Sequence, residues 1–313
     1  MSLSQMQVFN DFVRDATIET LAAEIDKFNA ASNGVFMLTT EEFSGDFLQE
    51  AFFAGVHSSQ RRVNRYAANT DVTPVDLSQG KISSVKIAGA FGPIRFEPSQ
   101  FGWNGQNEVK AIEVASRNFA EALLSDQINT SIAALVAATS NQTDAAHTAT
   151  ELNYIELNKA HAKFGDRSGS LIADVMTGAA YHALLGVNLG NANTLFDFKG
   201  VTVVEILGKR VVVIDSPALI AGGKQRVLSL SSGAAIVSNS RDIMGKTVDV
   251  VGKQRIETLL QYDYSFGLTL KGYSWNEAAG GKSPDDAKIA TGTNWVKTYS
   301  SIKQTAGTIL IAG

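Results

Sequence analysis

Between Asn107 and Ala138 the chain contains neither glycine nor proline. Within that stretch Ala120, Leu124, Ile128, Ile132 and Val136 recur every four residues, and Val109, Ile112, Phe119 and Leu123 widen the apolar surface toward its start. That spacing predicts a helix with one buried side. At about 1.5 Å rise per residue it would run roughly 45 Å, longer than most globular helices. Such a rod needs other elements packed along it, so it serves as a spine, and Leu124 and Ile128 in mid-stripe are the candidate fold core.

The flanking sequence changes character on each side. Met6, Phe9, Phe12 and Val13, and then Ile18, Leu21, Ala22 and Ile25, follow helical spacing. Thr40–Val56 reads as a third helix, capped by Thr40 and striped by Phe43, Phe47, Leu48 and Phe52. From Asp71 to Gly105, glycine, proline and short alternating runs take over. Val85 and Ile87 suggest one strand, Ile94 and Phe96 a second, and Gly-Ala-Phe-Gly-Pro a turn or bulge between them. The result would be an extended hairpin with little core of its own, which is marginal in water unless it lies on something else. After a polar break at Ser140–Ala149, helices are expected at Glu151–Lys163 and around Tyr181, Leu184 and Leu185, with a strand at Leu171–Met176 between them. Strands follow at Val201–Ile206, Val211–Ile214, Val227–Ser231, Ala234–Val237, Lys246–Val251 and Ile256–Leu270, and Lys297–Ala312 alternates weakly. This order favours an α+β fold over repeated βαβ units.

At 313 residues the chain exceeds the usual single core, so two lobes are expected. A net charge of −4 denies it the positive field of a dedicated nucleic-acid binder. The absence of cysteine removes disulfides, thiolate nucleophiles and Cys-type zinc sites together. No positively charged start leads into an apolar signal core, and no run of about 18 apolar residues suggests a membrane span.

No constellation carries catalysis. Gly280–Ser283 ends like a phosphate loop, but Asn276 occupies its first glycine position and Pro284-Asp285-Asp286 follows in place of an apolar helix start. Gly222–Lys224 is followed by Gln225 and fails likewise, so both read as surface turns. His57, His147, His161 and His182 lie far apart without metal-ligand spacing, and His161 reads as a solvated or hydrogen-bonded helix residue. Glu41-Glu42 suits a helix start and Asp285-Asp286 a polar loop. Trp103, Trp275 and Trp295 read as packing anchors.

Particular stretches, in this order, resemble one family. These are GAFGPIRFEPSQFGWNG entering NEVKAIEVASRNFAEALLSDQINTSIAALVAA, then LIADVMTGAAYHALL, GKRVVVIDSPAL, DYSFGLTLKGYSW and TNWVKTYSSIKQTAGTILIA. Together they resemble the major capsid proteins of tailed bacteriophages with the Hong Kong 97-like fold. The resemblance implies a helical N-terminal arm and connecting segment over 1–70, an extended E-loop hairpin over 71–106 and the spine helix of a peripheral P-domain over 107–148. An axial A-domain would occupy 149–250, and C-terminal strands would return to the P-domain over 251–313. It further implies a structural protein, neither enzyme nor cofactor carrier, that assembles with itself as hexamers and pentamers into an icosahedral head. The head would enclose double-stranded DNA through weak non-specific contact, with portal, scaffold or decoration proteins as further partners and no membrane.

The chain would be made in the host cytoplasm and end in the virion, and its short N-terminus argues against a cleaved scaffolding segment. Phe91, Pro93, Arg95 and Phe96 of the hairpin become candidate intersubunit contacts. Some relatives cross-link lysine to asparagine; Lys81 lies in the hairpin, but no acceptor is identifiable, and that chemistry is not carried over. The alternatives are an encapsulin-like nanocompartment shell around enzyme cargo and, from another class, an α+β hydrolase with unrecognised carboxylates.

Overall fold

The computed structural model describes residues 25, 28–39, 45–53, 60–74, 79–97, 108–187, 196–198, 201–239 and 243–313. Of the two expected N-terminal helical faces only Ile25 falls within them, helical and buried. The remainder of those faces, Thr40, Glu41, Glu42, Phe43, His57 and Trp103 lie outside the described residues.

Strands β1 (Phe36–Thr39), β2 (Phe47–Phe53) and β3 (Gln79–Phe96) precede helix α1 (Glu108–Ser140). Then come β4 (Ala146–Ala149), α2 (Tyr154–Ala162), β5 (Leu171–Met176), α3 (Gly178–Val187), β6 (Phe196–Phe198), β7 (Val201–Ile206) and β8 (Lys209–Val213). The chain continues through β9 (Ile220–Ala221), β10 (Lys224–Ser231), β11 (Ala235–Asn239), β12 (Met244–Val250) and β13 (Glu257–Leu270). It closes with β14 (Tyr273–Trp275), α4 (Glu277–Gly280), α5 (Asp286–Ile289), β15 (Trp295–Lys297) and β16 (Gly307–Ala312). One sheet runs β1-β11-β13-β3-β2 with β12 also on β13, the other β4-β16-β10-β5-β8-β7-β6 with β9 on β10, and β14 pairs β15. Helix α1 touches strands of both large sheets, β11 and β13 of the first and β16 of the second.

The spine helix forms close to its expected bounds, and Ala120, Ile132 and Val136 of the expected stripe are buried with Phe119 and Leu123, but in mid-helix the stripe leaves the buried face. Phe119, Leu123, Gln127, Ser131, Ala134, Leu135 and Ala138 are buried, whereas Leu124 and Ile128 are only partly buried at the margin of the core. A strict four-residue series precesses by about 40° per step on a 3.6-residue helix, so its members cannot all share one face. From Thr130 to Thr139 the helix is buried almost all round. There Ser131 and Thr139 satisfy their hydroxyls on their own helix, donating to Gln127 O and Leu135 O at 2.7 Å each. Small residues let neighbours close in: a Cβ on Gly292 would stand 2.6 Å from the Ala137 carbonyl oxygen.

Two expectations fail on neighbouring strands, β2 and β3. Phe47–Phe53 is a strand, not part of a helix, and pairs antiparallel with β3 from Phe47↔Val85 to Phe53↔Gln79. A non-local ladder here overrides the local stripe of phenylalanines. The two short strands expected within 71–105 are one 18-residue strand, β3, so the hairpin consists of β2 and β3. Of turn and bulge at Gly-Ala-Phe-Gly-Pro, the structure has the bulge: Phe91 faces Tyr262 and Ile94 faces Leu260, leaving Gly92-Pro93 against Gln261. Gly89 is needed for close approach, because a Cβ there would lie 2.4 Å from the Tyr264 ring.

The sheets also divide the chain differently from the expected 149–250 and 251–313 lobes. Strands β11 and β12 join the first sheet, and β16 enters the second, antiparallel to β10 and parallel to β4. The apolar run Thr308–Leu310 needs burial on both faces, and the middle of that sheet supplies it. The expected polar break thereby contains β4. Elsewhere the strand and helix expectations of the second half are met within a few residues.

The glycine turns are structural. Gly280 lies under Trp275, Gly281 adopts φ +79°, and Trp275 Nε1 donates to Gly281 O at 3.0 Å. Trp275 and Trp295 pack edge to face at 4.8 Å. Asp285 caps α5 by accepting from Lys288 N at 2.8 Å, a role the expected polar loop did not include. Leu123→Ala is expected to lower subunit stability by about 2–5 kcal/mol in chemical denaturation. Leu124→Ala is expected to lose less than half as much, because its side chain is only partly buried.

Candidate assembly surface

Strand β3 is shared between two partners. Gln79–Val85 pairs with β2, Val85–Phe96 pairs with β13, and Val85 alone belongs to both ladders. The β2–β3 hairpin therefore runs past the end of the β13 ladder as a two-stranded projection. Residues 60–74 of its tip are exposed throughout, with Arg61, Arg62 and Arg65 set beside Val63 and Tyr66. Tyr66 is 91% exposed, an unusual setting for a large aromatic in a monomer.

At its base the hairpin meets the body through one carboxylate. Glu277 Oε1 accepts from Gln49 Nε2 at 2.7 Å, Lys81 Nζ at 3.0 Å and Ser83 Oγ at 2.6 Å. These donors hold the Glu277 carboxyl below its ordinary range, Ser83 most and Lys81 next. Ser83 N donates to Ser274 Oγ at 2.9 Å, so β14 satisfies the edge of β3 just beyond the reach of β13.

At the opposite end of the first sheet, β12, β13 and the tail of β3 form a second projection. Met244, Val248, Val251, Ile256 and Ile94 are exposed there. Arg95–Glu257 at 3.6 Å, Lys253–Glu257 at 2.6 Å and Arg255–Glu97 at 2.9 Å ring them with ion pairs.

The candidate contact residues fall into different settings. Pro93 and Arg95 are exposed, and Phe96 is placed on β3 opposite Thr258. Phe91 turns inward: it stacks on Tyr264 and meets Phe119 edge-on, each at 5.1 Å. Phe91 therefore serves the fold of this subunit, because β13 supplies the aromatic surface that a free hairpin would lack. Sequence reading missed Arg61, Arg62, Arg65 and Tyr66 at the tip and Glu277 at the base. The run QRRVNRY was the available signal for the tip; nothing local marks Glu277.

Beneath this cluster Tyr264 Oη donates to Asp126 Oδ2 at 2.6 Å. Burial pushes the Asp126 carboxyl up, Tyr264 opposes that rise, and Asp286 adds to it. His161 and Asp174 form a buried pair at 2.9 Å that ties α2 to β5, which settles His161 as hydrogen-bonded. Among the described residues no group of three or more His, Asp or Glu side chains is placed to hold a metal. No helix among them is long and apolar enough to cross a membrane.

Residues 5–309 match the Gp13-like family, described as major capsid protein 13-like. No curated protein sequence matches the chain. Similar solved structures include a cyanophage Pam1 capsid asymmetric unit, at TM-score 0.53 and 10% identity over 90% of this chain and 89% of that one. A Mycobacterium phage Bobi chain matches at TM-score 0.52 and 14% identity over 90% of both chains. The head structure of Helicobacter pylori bacteriophage KHP40 matches at TM-score 0.51 and 10% identity, covering 91% of this chain and 88% of that one.

Two expectations follow from the geometry. Phe91→Ala is expected to lower the melting temperature of the subunit. For Asp126 the raised folded-state pKa means that the fold prefers the protonated form, so the group weakens the fold at neutral pH and is relieved as pH falls through that pKa. Asp126→Asn is then expected to melt higher than the wild type at pH 7, with the gap closing in acid; a lower melting temperature at pH 7 would make the Tyr264 hydrogen bond the stronger effect.

Proposed function

Since the chain belongs to the Gp13-like family of major capsid proteins, we propose that its copies associate as hexamers and pentamers, with the β2–β3 hairpin as the arm that reaches a neighbouring subunit. The protein is a structural component of the phage head, with the Hong Kong 97-like α+β fold. Its copies self-associate into capsomers.

The observation that carries the arm reading is the hairpin itself: two strands that leave the sheet and end in an exposed tip of arginines, valine and tyrosine. Isolated hairpins are marginal in water, and a neighbour that covers the tip removes that weakness. Three arginines against one aspartate in residues 60–74 make the tip basic, so identical tips repel each other and the surface it meets is an acidic one on the next copy. In this reading β2, β3 and the tip form the E-loop, α1 and the first sheet the P-domain, and the second sheet the A-domain. Pro93 and Arg95 lie near the second projection and remain candidate contacts there.

The remaining roles follow from charge and composition. The net charge of −4 supports weak, sequence-independent contact with packaged double-stranded DNA in place of tight binding. The role is structural and non-enzymatic, with portal, scaffold or decoration proteins as further partners. A nanocompartment shell has no observation in its favour here.

Sedimentation and negative-stain microscopy of the expressed chain test the reading. Closed particles are expected from the wild type. The triple variant Arg61→Glu, Arg62→Glu, Arg65→Glu is expected to keep the melting temperature of the wild-type subunit and lose the particles. Normal particles from that variant would remove the hairpin tip from assembly, and a nanomolar, sequence-selective complex with duplex DNA would overturn the genome reading.

A further inference from the structure

We propose that Glu277 is the positioning residue that sets the direction in which the hairpin leaves the subunit, an inference that rests on reading the hairpin as an assembly arm. Its single Oε1 gathers donors from both strands: Gln49 on β2, Lys81 and Ser83 on β3. Gln49 and Ser83 are directly opposed in the ladder and Ala51 faces Lys81, so all three donors lie on one face of the hairpin. Glu277 itself belongs to α4, which is fixed to the body. Asn276 caps α4 by accepting from Ala278 N and Ala279 N, and Trp275 just before it is buried against Trp295. The carboxylate thus joins a rigid support to both strands of a thin projection.

Its placement suits geometry better than stability. Lys81 is 59% and Glu277 30% exposed at the side chain, and ion pairs in such settings add little to folding free energy. Three donors converging from two strands onto one oxygen nevertheless define an angle, because a swing of the hairpin breaks them together. On the opposite face Ser84 is buried, its Oγ accepting from Thr269 Oγ1 at 2.6 Å. Ile82, which points away from the Glu277 face, borders a cleft of about 870 Å³ that Ile236, Thr269 and Lys271 also line. Glu277 shares the anchoring of the hairpin base with Ser274, whose Oγ accepts from Ser83 N at 2.9 Å, and with the Lys282–Asp46 pair at 3.2 Å, but of these it is Glu277 that takes donors from both strands. A pre-set arm docks with less loss of conformational freedom than a swinging one.

The chain has no cysteine, so introduced cysteines at Asn64 on the tip and Ala162 on α2 give a uniquely spin-labelled pair. The full-length labelled chain, diluted with unlabelled chain, reports the hairpin direction as a distance distribution. A narrow distribution is expected for the wild type, a broader one for Glu277→Gln, and the broadest for Glu277→Ala, all with unchanged melting temperature. The double variant Lys81→Glu with Glu277→Lys reverses the ion pair and is expected to restore the narrow distribution, a rescue that a merely space-filling role would not give. Particle yield is expected to fall about tenfold in Glu277→Ala and to recover in the double variant.

An unchanged distribution in Glu277→Ala would overturn the positioning role whatever the particles do. A broadened distribution with normal particles would overturn the claim that assembly needs a set direction. The arm reading fails separately, through normal assembly of the tip arginine variant.

Discussion

Strand β13 is the member on which the rest of the subunit depends. It is hydrogen-bonded along both edges, to β3 on one and to β11 and then β12 on the other. Its inward side chains Tyr262, Tyr264, Phe266 and Leu268 are buried. The tyrosine rings lie across neighbouring strands only because those strands carry glycine at the point of contact. A Cβ on Gly245 would stand 2.3 Å from Tyr262, and one on Gly89 2.4 Å from Tyr264. Phe91 and Phe119 complete the cluster, so one aromatic layer couples the sheet to the spine helix. Because β3 is held by β13 through Val85 and then freed, the same strand that anchors the core delivers the hairpin to the outside.

The spine helix and the strands of the second half were legible in the sequence because each depends on local periodicity, and the packing role of Trp275 and Trp295 because of their size. What the sequence concealed depends on partners far along the chain. Phe47–Phe53 has a helical stripe yet becomes a strand, because β3 offers it a ladder. Ala146–Ala149 has almost no strand signal and is recruited by the apolar β16 from the other end of the chain. Gly89 and Gly92 look like turn residues in sequence, whereas one accommodates a tyrosine ring and the other a bulge. The rotation of the buried face past Leu124 and Ile128 is a matter of helical phase, which a list of four-residue repeats does not resolve. Of the proposed contact residues, Pro93 and Arg95 reach the surface. Phe91 is claimed by the aromatic layer, whose other members were visible in sequence but whose convergence was not.

Charge separates the two projections. The hairpin tip carries arginines with a single aspartate against them, a surface that is incompatible with its own copy and therefore suited to a contact between unlike faces. The β12–β13 end carries Arg95, Lys246, Lys253 and Arg255 against Glu97, Asp249, Glu257 and Asp263, largely tied into local ion pairs around exposed Met244, Val248 and Val251. That end is close to electrically neutral and apolar at its surface, so identical copies can approach it without mutual repulsion. A closed shell requires contacts of more than one kind around each subunit, and the sequence places chemically distinct surfaces at opposite ends of a single sheet.

This arrangement separates the groups that stabilise the subunit from those that orient the hairpin. The core burial runs through α1, β13 and the middle of the second sheet, where side chains such as Leu123, Phe266 and Leu310 are fully enclosed. Among the described residues, the hairpin meets that core through the stretch of β3 around Val85, including the Thr269–Ser84 hydrogen bond, and through the contacts of β14 and α4. The direction of the hairpin is then set by the polar contacts of Glu277 together with the packing of β14 on β3. Polar contacts of this kind contribute little to the free energy of the isolated chain.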